Sequence, residues 1–252
     1  MTLLASLRDQ HIIESLLAGL IGGFFRGFSG FGFGMAAVPV LIVRMLPVHA
    51  IPAVLIHEVM FGAATIPALR KSIDWSRLGP LLMGSLIGTP VGLTMLHLIP
   101  TPIIRPMIGL VVLASVTILW AAPKLNVKLT RVSLGLAGVL SGLLNGSTAA
   151  SGPPAIILLF ASDKPAKEIR SLLIVFIFAS AVIALAIAAI GGLVVLPVIE
   201  IAVFMVPGVL VGSLAGHRLF NRLHTRHYRS ISLALLLVVS IVTLGFTFMP
   251  VS

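Results

Sequence analysis

Few residues in this chain can do chemistry, and most of them lie in apolar surroundings. Arg26 sits within Ala18-Gly-Leu-Ile-Gly-Gly-Phe-Phe-Arg-Gly-Phe-Ser-Gly-Phe-Gly-Phe-Gly34. A guanidinium in hydrocarbon costs about 2.5 kcal/mol or more, so its place in such a run calls for a role. Its planar fork suits an oxyanion; alternatively it pairs with Glu58 or a carbonyl for structure alone. His57-Glu58 lies mid-way along another apolar stretch. A carboxyl at that depth is a candidate proton carrier, with His57 beside it, or else a structural partner of Arg26. Ser29, Gly30 and Gly32 follow Arg26; Asn145, Ser147, Thr148 and Ser151 cluster in a second glycine-containing run. These hydroxyl and amide groups either contact an anion or cap helices.

Other chemistries are poorly served. Gly27-Phe-Ser-Gly30 has the G-x-S-G form of an intramembrane serine protease, for which His57 or His217 would be the base. A chain with 24 glycines produces such tetrapeptides easily. His57-Glu58 is followed by Phe61 where a zinc-protease helix needs histidine. The chain has no cysteine, which excludes disulfides, thiolate metal sites and a cysteine nucleophile. No cofactor and no metal are called for.

The elements that carry these residues are set by composition. Hydrophobic residues make up 58% of the 252, and charged residues only 10%, against about 25% in soluble domains. Apolar segments run over 12–45, 48–69, 76–98, 103–121, 130–161, 170–196, 197–218 and 230–249. Each can cross roughly 30 Å of hydrocarbon. The reading is an all-α integral membrane protein. The segments 12–45 and 130–161 exceed one span and are interrupted at Ser29–Gly34 and Gly146–Pro154. Irregular backbone cannot face lipid, so both breaks must be buried in protein or line a wet cavity. Helices restarting after them would aim free N–H groups at that cavity, and Pro153 and Pro154 suit a helix's first turn.

The net charge is +10, but no aromatic-rich basic stretch suits nucleic acid. The basic residues instead mark loops: Arg70, Lys71 and Arg77; Lys124, Lys128 and Arg131; Lys164, Lys167 and Arg170; Arg218, Arg222, Arg226 and Arg229. The positive-inside rule puts these four loops in the cytoplasm. The path closes if each interrupted segment is a hairpin, which leaves both termini outside. The N-terminus has neither a basic n-region nor an A-x-A site, so no removable signal peptide is expected.

The halves repeat. Ala18-Gly19, Gly23 and Gly27 align with Ala137-Gly138, Gly142 and Gly146 at one offset, which also pairs Arg26 with Asn145 and Ser29 with Thr148. Gly84, Gly88 and Gly92 align with Gly208, Gly212 and Gly216, and Arg105 with Arg229. Each unit, 1–122 and 123–252, would be an interrupted hairpin plus three spans, so the two would insert in opposite senses. Such inverted repeats place a binding site at their interface. The glycine rows away from the breaks read as close helix packing.

The first hairpin followed by Pro39, its partner Leu136-Ala-Gly-Val-Leu-Ser-Gly-Leu-Leu-Asn-Gly146 with Gly152-Pro153-Pro154, and Arg70-Lys-Ser-Ile-Asp-Trp-Ser-Arg77 before the Gly84 row together resemble the sulfite exporter TauE/SafE family of membrane transporters, of the 4-toluene sulfonate uptake permease type. The resemblance covers nearly the whole chain. Where that family commonly has Gly-Gly-Gly, this chain reads Gly30-Phe-Gly-Phe-Gly34; Arg26 and His57-Glu58 also depart from it. The resemblance implies a secondary transporter for sulfite, an organosulfonate or a related sulfur oxyanion, in a bacterial inner membrane, with proton coupling as an option. A passive anion channel and a serine protease are the rival readings. The partners implied are a small anionic substrate and the lipid bilayer, with a homo-oligomer left open.

Overall fold

The computed structural model describes residues 2–69, 74–121, 128–162 and 166–222, together with Leu237, Ile241 and Gly245. Apart from those three, the segment 230–249 lies outside the described residues, as do Arg70, Lys71, Lys124, Lys164, Arg226 and Arg229 of the basic loops. The described residues form nine helices: α1 (Thr2–Ser29), α2 (Phe33–Leu41), α3 (Pro47–Leu69), α4 (Trp75–Leu98), α5 (Thr101–Ala121), α6 (Arg131–Thr148), α7 (Gly152–Phe160), α8 (Ala166–Ile190) and α9 (Leu196–Arg222). Six of them, α1, α3, α4, α5, α8 and α9, contain stretches long and apolar enough to cross a membrane. The polarity is arranged for lipid. Met83, Ile87, Leu110, Leu136, Val203 and Leu210 are exposed, whereas Ser85, Thr89, Ser141 and Ser180 are fully buried.

Both long segments break where the sequence places small residues. α1 ends at Ser29, and α2 begins three residues after Gly30. Gly30 and Gly32 have φ of 80° and 84°, a backbone that glycine adopts without penalty. α6 ends at Thr148, and the chain turns through Ala149 at φ 53° into α7, whose first turn holds Pro153. Ala149 occupies the repeat position of Gly30. The α8 helix stops at Ile190 rather than running to 196, because Gly191 and Gly192 form a turn, with Gly192 at φ 72°, before Pro197 enters the first turn of α9.

The glycine rows zip helices together in two matched pairs. Gly19, Gly23 and Gly27 of α1 meet Met205, Val209 and Ser213 of α9, while Gly208, Gly212 and Gly216 of α9 meet Leu16, Leu20 and Phe24 of α1. Likewise Gly84, Gly88 and Gly92 of α4 meet Gly135, Val139 and Leu143 of α6, and Gly138, Gly142 and Gly146 of α6 meet Leu81, Ser85 and Thr89 of α4. At each of these twelve glycines a Cβ would overlap a carbonyl oxygen of the facing helix. Backbones this close leave van der Waals packing as the main attraction, as suits a lipid-embedded bundle.

Between the zipped pairs, α3 crosses α8 where Gly62 lies against the Phe178 ring. The α3 helix also packs on α9, and α8 on α4. Exchanging α1 with α6, α2 with α7, α3 with α8 and α4 with α9 maps the α1–α9 contact onto α4–α6 and the α3–α9 contact onto α4–α8, and returns the α3–α8 contact to itself. The apolar core follows the same division. Phe33, Val38, Leu41, Ile51, Val54 and Leu55 form one group around α2 and α3. Ala155, Ile156, Leu159, Leu173 and Phe176 form the other around α7 and α8.

Candidate functional site

The two breaks touch. A Cβ on Gly34, in the first turn of α2, would overlap the carbonyl oxygen of Ala149 in the second turn. A cavity of about 10 Å³ remains between them, bounded by Gly32, Gly34, Glu58, Ala149, Ser151 and Ile177. That is space for about one water and not for an oxyanion, so the site is closed in this conformation. Glu58 and Ile177 stand near the middles of α3 and α8, which puts the cavity about half-way along the spans.

Arg26 and Glu58 are brought to this point and are both buried, at 7% and 5% exposure. The Arg26 Nη1 atom lies 3.5 Å from Glu58 Oε2, yet neither atom makes a hydrogen bond. The other carboxylate oxygen, Oε1, accepts a long hydrogen bond of 3.4 Å from the Gly34 N–H at the start of α2. The guanidinium also lies over the Phe61 ring, 5.5 Å from its centroid. The carboxylate therefore receives a cation on one side and a helix N-terminus on the other, an arrangement that stabilises negative charge.

The remaining sequence candidates fall into two groups. Gly32 and Ser151 line the cavity, and Gly30 forms the turn next to it. The hydroxyls of Ser147 and Thr148 donate to the carbonyls of Leu143 and Leu144, one turn back. Ser29 Oγ lies 2.7 Å from the Phe25 carbonyl and 2.6 Å from that of Phe31. Asn145 Nδ2 donates to the Ser180 carbonyl at 2.9 Å, and Ser180 Oγ in turn meets Ser85 Oγ at 2.8 Å. His57 turns away from Glu58, its Nε2 2.9 Å from the Ala202 carbonyl of α9. His217 meets Asn221 at 3.2 Å. These partners give Ser29 no histidine base, against the protease reading.

Sequence reasoning missed Phe61, Ala149, Ser180 and Ile177, whereas Gly34 belongs to the glycine alternation that frees the backbone to approach a ligand. The repeat offset could have found Ala149, because it aligns with the turn glycine Gly30. No comparable signal points to Phe61 or Ser180. A second, larger cavity of about 490 Å³ lies at the end of the bundle where α1 and α9 begin, with His11, Arg44, His49 and Glu200 among its walls. Arg44 there pairs with Glu14 at 3.3 Å. His49 precedes Glu58 by nine residues of α3, or about 14 Å at 1.5 Å per residue.

Long apolar helices, two broken hairpins meeting inside the bundle and a buried ion pair at their junction define a multi-pass membrane protein built around a polar centre. The chain belongs to the sulfite exporter TauE/SafE family, whose family model matches residues 15–243. It is also 30% identical over 206 residues to a protein of Cupriavidus necator described as a probable sulfite/organosulfonate exporter TauE, covering 78% of this chain and 79% of that one. No solved structure matches. Membership makes the protein a membrane transporter and not an enzyme.

Proposed function

We propose that this protein carries a small sulfur oxyanion, sulfite or an organosulfonate, across the inner membrane of a bacterium. The observation that carries this reading is the junction of the two breaks. There a buried guanidinium and the N-terminus of α2 converge on the carboxyl group of Glu58, half-way along the spans. The substrate binds where the breaks part, against Arg26, the Gly32–Gly34 backbone and Ser151. Ser29, Ser147 and Thr148 hold the backbone at the breaks in shape, Asn145 ties α6 to α8 beside them, and Glu58 carries a proton. A junction too small for an oxyanion fits a carrier that rearranges to admit its substrate; saturation of transport at low substrate would separate this from a passive channel.

The architecture proposed is two inverted repeats, 1–122 and 123–252. The exchange symmetry of the helix contacts and the reciprocal glycine rows support it. The basic loops then face the cytoplasm, and both termini are periplasmic. A reporter fused at Ser252 should behave as periplasmic and one near Lys124 as cytoplasmic; the same side for both would refute the arrangement. The test of substrate is thermal unfolding of purified protein with sulfite, sulfate, thiosulfate, short sulfonates and short carboxylates. A ligand at 100 times its Kd stabilises the folded state by about 2.7 kcal/mol. Sulfite or a sulfonate should raise the melting temperature of the wild type and not of Arg26→Ala. An equal rise in both would place binding elsewhere.

A further inference from the structure

We infer that the Glu58 carboxylate is an internal stand-in for the transported anion, so that substrate binds only together with a proton, one for one. This rests on the reading that the anion site lies at the junction of the breaks. The geometry is that of an anion site filled from within. Glu58 takes the two kinds of donor an oxyanion would need there, Arg26 at 3.5 Å and the α2 N-terminal amide of Gly34 at 3.4 Å. Both contacts are long, and Arg26 Nη1 and Glu58 Oε2 are left without a hydrogen bond although buried. A structural ion pair is usually held by short charge-assisted hydrogen bonds, at about 2.7–2.9 Å. A displaceable occupant need not be.

Charge balance gives the stoichiometry. Arg26 of α1 is the charge that faces Glu58. Its neighbour His57 on α3 is turned to Ala202 of α9. The α2 start, the second break and α8 present Gly34, Ser151 and Ile177 to the cavity, none of them titratable; the guanidinium of Arg170, also on α8, lies against the Gly30 turn but is exposed and not on the cavity wall. Adding a second anion beside an ionised Glu58 would leave one negative charge uncompensated in a buried site, which is strongly unfavourable. Taking up a proton from water resolves this. The proton bonds to a Glu58 oxygen, the ion pair with Arg26 opens, and an oxygen of the incoming anion takes the vacated donors. Release runs the same steps backwards and returns the proton to water. The vacated site then carries one positive charge, so it selects a monovalent headgroup, a sulfonate or hydrogen sulfite, over a dianion such as sulfate. Proton and anion move in the same direction, and a monoanion moves without net charge.

The probe is methanesulfonate, a monoanion that does not itself titrate near neutral pH. Its binding to the purified wild type should take up one proton per anion from a weakly buffered solution. Its affinity should fall about tenfold per pH unit on the alkaline side, as for any one-proton linkage. Folded Glu58→Gln should bind methanesulfonate at least as tightly, with no dependence on pH. In proteoliposomes, wild-type uptake should follow an imposed pH gradient and ignore a potassium–valinomycin potential, and Glu58→Gln should do the reverse. No proton uptake by the wild type would overturn the proposal without any variant, as would gradient-driven uptake persisting in Glu58→Gln. Wild-type binding that survives Arg26→Ala unchanged would instead remove the site reading beneath it.

Discussion

The glycine zippers give the sharpest test of the fold, because the same substitution should have opposite effects a few residues apart. Gly88 of α4 faces the Val139 carbonyl of α6 so closely that an added methyl overlaps backbone, which cannot rotate aside as a side chain would. Gly79, on the same helix, and Gly135 of α6 have nothing within 4 Å of an added methyl. Overpacking costs about 1–3 kcal/mol. Replacing glycine by alanine inside a helix gains up to about 1 kcal/mol in propensity. Gly88→Ala should therefore lose up to about 2 kcal/mol net, and Gly79→Ala and Gly135→Ala should be neutral or gain up to about 1 kcal/mol. Thermal unfolding in detergent, followed by loss of the monodisperse species, reads the difference directly. Gly142→Ala, which meets Ser85 of α4, should behave like Gly88→Ala. Equal melting temperatures for Gly88→Ala and Gly79→Ala would refute the claim that α4 and α6 touch backbone to backbone.

Ala149 holds a left-handed backbone that costs an ordinary residue roughly 1–2 kcal/mol, so Ala149→Gly should raise the melting temperature, and a fall would contradict the turn described. Ser180→Ala removes the hydroxyl that meets both Ser85 and Asn145, and should destabilise by about 1–2 kcal/mol in the same assay. Arg26→Lys keeps the charge but loses the fork, so sulfonate binding by titration calorimetry should be weakened but present, and abolished in Arg26→Ala. Asp74 caps α4; its carboxyl is held below the usual range first by the Ser76 hydroxyl and then by Arg77. A depressed carboxyl stabilises above its unfolded pKa and loses that contribution as pH falls through the folded value. The melting-temperature gap between wild type and Asp74→Ala should accordingly be present at pH 7 and vanish in acid.

Much of the fold is legible in the sequence because membrane helices leave coarse marks. Twelve glycines at four-residue spacing reveal which faces approach, since only glycine tolerates a backbone neighbour there. The breaks are legible because the close run of Gly30, Gly32 and Gly34 weakens a helix and frees the backbone, and because Pro153 and Pro154 suit a helix's first turn rather than its interior. The site is less so. The sequence raises the Arg26–Glu58 pairing and anion contact as equal options for the same guanidinium, and both groups do meet. It does not reveal that the hydroxyls of Ser147 and Thr148 turn back on their own helices, because a serine or threonine can bond backwards or outwards at little difference in energy. The joining of Asn145 to Ser180 depends on the rotation of α8 against α6, which no local pattern records. The end of α8 was obscured for another reason. Leu193, Val194 and Val195 continue the apolar run past the Gly191–Gly192 turn, so hydropathy alone extends the helix to 196.

The central claim is that the anion binds where the two breaks meet. The most direct measurement is the structure of the purified protein with an iodinated alkyl sulfonate bound, the iodine located by its anomalous signal. The account predicts the sulfonate between Gly32–Gly34 and Ala149–Gly152, its oxygens within hydrogen-bond reach of Arg26 and Glu58 displaced from the guanidinium. A sulfonate lodged only in the larger cavity beside Arg44 and His49, with the Arg26–Glu58 pair intact, would contradict it.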